Sequence, residues 1–227
     1  MGEDGLRPDR SVVRVFVRPY ASSIPLGFFS FGIGMLLLGA SALGWLPASS
    51  QHTTGIFLAA FVFPLEATST IFAFLARDTF SATGFGLFST SWLSVGLAYL
   101  ATAPGGRNPS VGVYLIGFSV AISTLAVAAM SGKPLVGGIL AAASVRGFLD
   151  GAYQLGAPHV WYAVEGGIAV AIFVAAMYGG IAFLVEDVRK EEVLPVVRRG
   201  TSKVSMEEGL GAQLAQVDSE AGVRQTL

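Results

Sequence analysis

Three ionisable residues stand inside long apolar runs, and these are the positions where the chain has the means to do chemistry. Glu66 lies in "FPLEATSTIFAF", and Arg146 and Asp150 lie in "ASVRGFLDGA". A carboxylate in such surroundings must be protonated, hydrated or paired, because removing the charge from water is costly. Glu66 is therefore expected as a protonatable site, as a structural partner of Arg146, or in a helix-packing hydrogen bond. Arg146 and Asp150 are four apart, a spacing that puts both side chains on one helix face. They are expected to pair, although a lone arginine there would also attract an anion. Glu165 and His159 are expected at a wet boundary, with Trp161 and Tyr162 beside them as interfacial anchors.

Other chemistries are poorly supplied. The chain has no cysteine and two histidines, His52 and His159, so no thiol chemistry and no histidine metal cluster is expected. No nucleophile–base set and no phosphate loop is visible, so neither an enzyme nor a cofactor is expected. A net charge of −1 with no concentrated basic face argues against a nucleic-acid partner.

The elements that must hold these residues follow from composition. Of 227 residues 53% are hydrophobic and 13% charged, about half the ~25% charge of soluble domains. Between Ile24 and Val185 the charged residues are only Glu66, Arg77, Asp78, Arg107, Lys133, Arg146, Asp150 and Glu165. Six apolar runs recur, at Pro25–Leu46, Thr54–Ala76, Ala82–Thr102, Val111–Met130, Pro134–Leu155 and Trp161–Val185. Each suffices to cross a hydrocarbon core needing ~20 helical residues. Turn-rich separators such as "APGGRNPS" and "SGKP" divide them. Continuous apolar runs without two-residue alternation argue against a β-barrel. The expected fold is all-α, a polytopic membrane protein with six transmembrane helices.

Three regions are expected: an N-terminal segment 1–23, a transmembrane domain 24–185, and a charged tail 186–227 that is mobile beyond about Pro195. The segment "VVRVFVRPY" has the pattern of a short surface helix. Twelve basic residues, including Arg7, Arg10, Arg14, Arg18, Arg77 and Lys133, fall on one side if six helices cross, whereas the other side has Arg107. That bias places both termini in the cytoplasm of a plasma (inner) membrane protein.

Small residues predict close helix contacts: Gly32, Gly34 and Gly39 on the first helix, Gly84 and Gly86 on the third, Gly138 and Ala142 on the fifth, Ala175/Gly179 and Ala176/Gly180 on the sixth. Pro64 should kink the second helix just before Glu66. The third helix opens with an unusual run, "ARDTFSATGFGLFSTSWLS". Its hydroxyls can bond back to their own helix, and Phe85 and Phe88 share a face. Such a helix belongs inside a bundle, lining a narrow aromatic passage.

That run resembles a pattern after the second helix of the acetate uptake transporter family, the succinate–acetate permeases, on Thr79, Phe80 and Thr83, with Asp78 at the head of the motif. "SSIPLGFFSFGIG", with Pro25, Leu26 and Gly27, resembles the start of that family's first helix. "AAMYGGIAFLVEDVRKEEVLP" resembles the end of its sixth. The chain departs from the family at Ser22-Ser23 in place of Asn-Pro, at Asp78 in place of Asn, and at Glu66 in place of Gln.

The resemblance implies hexamers in a lipid bilayer, each protomer with its own pore and a hydrophobic constriction from helices one, three and five. It places that constriction at Phe31, Phe88, and either Leu140 or Ala143. An apolar throat admits a small dehydrated solute and resists ions by dewetting. The function expected is a channel or proton-coupled transporter for small monocarboxylates, acetate first and succinate second. Glu66 would then be a candidate proton site, with Arg146 and Asp150 as further polar positions. Two alternatives stand beside it: a channel for a small neutral solute such as urea, ammonia or undissociated acid, and a non-transporting membrane scaffold or sensor.

Overall fold

A computed structural model describes residues 20–189 and 191–199. Each apolar run folds as a helix: α1 Ile24–Ala42, α2 Ala48–Leu75, α3 Thr79–Ala101, α4 Pro109–Met130, α5 Pro134–Gln154 and α6 His159–Arg189. All six are long and apolar enough to cross a membrane, and the described residues contain no strand. The fold is the expected all-α, six-span one. Side chains such as Ile71, Val127 and Val174 stand exposed on its outside, as a lipid-facing surface requires. The expected segment 1–23 lies outside the described residues as far as position 19, as do the tail residues from 200 onward.

Helix starts are set by local chemistry. Pro25, Pro109 and Pro134 occupy first-turn positions of α1, α4 and α5, where the missing N–H leaves no intrahelical bond unmade. Asn108 caps α4, its Oδ1 accepting from the amides of Ser110 and Val111. Asp78 caps α3: Oδ1 accepts from the Ser81 amide at 3.0 Å and Oδ2 from the Ser81 hydroxyl at 2.7 Å. At Pro64 the expected kink is accommodated by a wider turn. Residues Leu58–Val62 form a π-helical stretch, and α-helical geometry resumes at Phe63 with Glu66 in its first turn.

The helices pack mainly in three antiparallel pairs, α1 with α6, α2 with α3, and α4 with α5. Each pair crosses where two glycine backbones meet at the end farthest from the tail. A Cβ on Gly55 would stand 2.6 Å from the Gly96 carbonyl, and one on Gly96 would stand 2.7 Å from that of Gly55. Gly112 and Gly151 are related in the same way at 2.9 and 3.0 Å, and Gly39 and Gly166 at 3.0 and 3.3 Å. Only glycine allows backbones this close. Gly39 was expected in such a role, and Gly32, Gly179 and Gly180 also have crowded surroundings. Gly84 and Gly138 have open space where a Cβ would go and make no close helix contact within the protomer. The pairs close into a ring through contacts of α5 with α6, α1 with α2 and α3 with α4, while the backbones of α3 and α5 stay apart. Side chains fill that gap.

Residues beyond α6 turn back onto the bundle. Val196 is buried, the Tyr178 hydroxyl donates to the Pro195 carbonyl at 2.8 Å, and the Arg199 amide donates to Gly132 O at 2.9 Å. Arg198 donates to both Glu186 oxygens at 2.6 and 2.7 Å and to Glu192 at 3.2 Å. Val196–Arg199 are thus held by Glu186 near the end of α6 and by the Gly132 carbonyl in the turn between α4 and α5, with Glu192 of their own segment adding a contact. Arg198→Ala is expected to speed proteolysis within 191–199 several-fold. It should move the bundle's own stability by less than ~1 kcal/mol, since the clamp is peripheral. Limited proteolysis beside thermal unfolding in detergent checks both.

Candidate functional site

The gap between α3 and α5 is aromatic at the tail end. A partly open cavity of about 50 Å³, room for a few waters, is lined by Phe28 and Phe31 of α1, by Phe80, Ser81, Phe85 and Phe88 of α3, and by Val136, Ile139 and Leu140 of α5. Its inner end is closed by two rings. Phe31 and Phe88 meet edge to face with centroids 4.8 Å apart, each 5% exposed. Trp92 stands 6.0 Å from Phe31 and 6.5 Å from Phe88, and Phe118 of α4 backs Phe88 at 5.1 Å. Phe31, Phe88 and Leu140 thus converge from helices one, three and five. Ala143 is buried one turn beyond Leu140 and is not part of the cavity lining.

The motif residues divide. Gly27 makes room for the Phe85 ring, which a Cβ there would strike. Pro25 is buried in the first turn of α1, and Phe80 lines the cavity. Asp78 shapes the helix start by capping. Leu26, Thr79 and Thr83 face outward, and the Thr83 hydroxyl donates to its own helix at Thr79 O. Ser89 and Thr90 do the same to Gly86 O, so these hydroxyls satisfy the backbone and do not bridge helices.

Glu66 is fully buried, and neither carboxyl oxygen has a hydrogen-bond partner. The donor facing it is the Trp92 indole, whose Nε1 is also buried and completes no hydrogen bond. The carboxyl therefore touches the aromatic throat through Trp92, and it is not the partner of Arg146.

Arg146 has other partners. Its Nε lies 2.8 Å from Glu165 Oε2 of α6 and its Nη2 lies 3.6 Å from Asp150 Oδ2. The Nε–H does not point along the short contact, so the pair is held by charge more than by a directed hydrogen bond. Gln154 Nε2 donates to Asp150 Oδ1 at 3.1 Å, and its Oε1 accepts from the Asn108 amide. The phenols of Tyr99 on α3 and Tyr162 on α6 lie within electrostatic reach. The expected Arg146–Asp150 pairing is present. Glu165, expected at a wet boundary, is instead 1% exposed inside the bundle, because α6 turns that face onto α5. The lone, anion-attracting arginine is likewise replaced by one flanked by two acids. His159 is exposed and packs against the rings of Tyr153 and Tyr162.

Trp92, Tyr99 and Phe28 were not singled out from sequence. The spacing of Phe88, Trp92 and Tyr99 along α3 was the available signal. Among the described residues no group of three or more metal-ligating side chains occurs.

Fold and interior together define a polytopic helical membrane protein, six spans around an aromatic-floored cavity with a buried charge cluster. The bacterial acetate channel SatP has a solved structure of similar fold, with a TM-score of 0.68 at 20% sequence identity over 78% of this chain and 99% of that one. No family model and no curated protein matches the chain.

Proposed function

We propose that this protein is a transmembrane path, a channel or proton-coupled transporter, for small monocarboxylates such as acetate, with succinate as a larger candidate. The observation that carries this reading is the convergence of Phe31, Phe88 and Leu140 from three helices at the floor of an apolar cavity. An apolar pinch in the interior of a six-helix bundle passes small solutes that shed water readily and holds back hydrated ions. The likeness of fold to the acetate channel supports the same reading. A channel for a small neutral solute is the second reading, favoured by the cavity's nearly unbroken apolar lining. In this proposal each protomer of a hexamer carries its own path, the termini are cytoplasmic and the membrane is the plasma membrane. Glu66 is the polar site that touches the throat through Trp92.

Flux into proteoliposomes tests the proposal. Acetate uptake should exceed that of protein-free vesicles. Phe88→Ala should raise uptake several-fold and admit longer acids, because it removes one of the two closing rings. Phe88→Leu should fall between the two. Uptake indifferent to all three side chains at position 88 would place the permeation path elsewhere.

A further inference from the structure

Glu66 is an acid in the apolar interior without a counter-charge. It is 0% exposed, and both of its carboxyl oxygens are unbonded. Of the elements packed against α2, α1 carries no titratable side chain, and α3 carries Tyr99, which faces the Arg146 cluster toward its other end. On α2 and in the turn after it, His52 and Arg77 are exposed and Asp78 is bonded to Ser81. Tyr20 packs on α2 at Phe72 and is exposed. The hydroxyls of Ser69 and Thr70, next along the helix, donate to backbone carbonyls. A bare carboxylate is untenable in such a place, so the carboxyl holds a proton here.

The donor that faces it belongs to the throat. Trp92 is 3% exposed, and its Nε1 completes no hydrogen bond. The benzene edge of the indole sits in a notch of α1 at Gly34, where a Cβ would come within 2.9 to 3.1 Å of three ring carbons. The indole backs both closing rings, 6.0 Å from Phe31 and stacked at 28° on Phe88 at 6.5 Å. Neither Glu66 nor Trp92 lines the cavity. A turn of the indole, however, shifts the support of the rings that do.

We infer that Glu66 is a proton-controlled positioning residue that sets the throat through Trp92. With its proton on, the carboxyl is neutral and leaves the indole in the Gly34 notch, against Phe31 and Phe88. With the proton off, the carboxylate needs a donor, and the unused Trp92 N–H is the one that faces it. A charge-assisted hydrogen bond then draws the indole toward α2, out of the notch and off the rings, and the throat loosens. The closed rings of this structure thus belong to the protonated form. The inference rests on reading Phe31 and Phe88 as the throat of a small-solute path, and adds the group that controls it.

The test is uptake of acetamide into proteoliposomes holding the full chain, with pH equal on both sides and stepped from about 5 to about 9. Acetamide does not ionise in that range, so a pH response is the protein's own. Uptake should rise several-fold with pH along a single titration and then level. Glu66→Gln keeps the shape of the protonated acid and cannot ionise, so it should hold uptake at the low-pH level throughout. Trp92→Phe keeps a ring but removes the N–H, and should abolish the pH response with Glu66 still in place. A spectroscopic readout runs beside the flux. Trp45 and Trp161 are exposed, and in Trp45→Phe/Trp161→Phe protein the remaining emission is that of Trp92. That emission should shift with the same midpoint as the uptake, and Glu66→Gln should remove the shift. Uptake that ignores pH in the unaltered protein, or a pH response that survives Glu66→Gln, would overturn the switch and leave the transport path standing. Uptake no faster than in protein-free vesicles would remove the transport reading, and the Trp92 emission would then decide the coupling by itself. Should Glu66→Gln fail to fold, Trp92→Phe and the unaltered protein still decide.

Discussion

Arg146→Met is expected to lower the stability of the protein by roughly 3–5 kcal/mol, the range found when one member of a buried ion pair is removed. Arg146 is 6% exposed and its two acids are 6% and 1% exposed, so neither carboxylate can turn to water when the guanidinium goes. Removing both acids as well changes the outcome. Arg146→Met/Asp150→Leu/Glu165→Met leaves an apolar cluster of similar volume, and such replacements are often neutral or stabilising. The triple variant should thus recover most of the loss. Unfolding in detergent, followed by tryptophan fluorescence, measures both. A small loss from the single change would mean that water reaches the cluster freely.

The second large effect is expected at the glycine crossings. Gly96→Leu puts a branched side chain where α3 and α2 touch backbone to backbone, its Cβ 2.7 Å from the Gly55 carbonyl. A flexible side chain can move aside, but a helix carbonyl bonded within its own turn cannot. The helices must separate, and the loss should lie at or above the top of the ~1–3 kcal/mol usual for overpacking. Gly138→Ala is the control. Open space surrounds that position, so alanine should be neutral, or stabilising by up to ~1 kcal/mol through helix propensity. Yields of monodisperse protein and thermal midpoints of both variants check the contrast. Equal behaviour would show that small residues on these helices are interchangeable.

The glycines also show where reading the chain stops. Spacing drew attention to Gly138 and Ala142, four apart on one helix, yet Gly138 meets nothing. The reciprocal contacts Gly55–Gly96 and Gly112–Gly151 carry no spacing signal, because each partner is on a different helix. Glu165 followed the same logic. Its neighbours His159 and Trp161 suggest a wet boundary, and they are in fact exposed, while Glu165 points inward. The choice between Leu140 and Ala143 likewise required knowing how α5 is rotated against α1 and α3.

What this chain determines by itself is local and one-dimensional. Six apolar runs of membrane-crossing length appear as expected, and prolines at helix starts and the Asp78 and Asn108 caps likewise act over only a few residues. The pairing of Arg146 with Asp150 belongs here too, being four residues along one helix. Tertiary structure decided the rest: Glu165 as the near partner of Arg146, Trp92 facing Glu66, Phe31 against Phe88, and glycine meeting glycine in three crossings. The physical reason is that hydropathy sets how deep a residue lies in the bilayer, while the rotation and lateral order of helices set what it touches. In a lipid-surrounded bundle that rotation is chosen by close packing and charge pairing between helices distant in sequence.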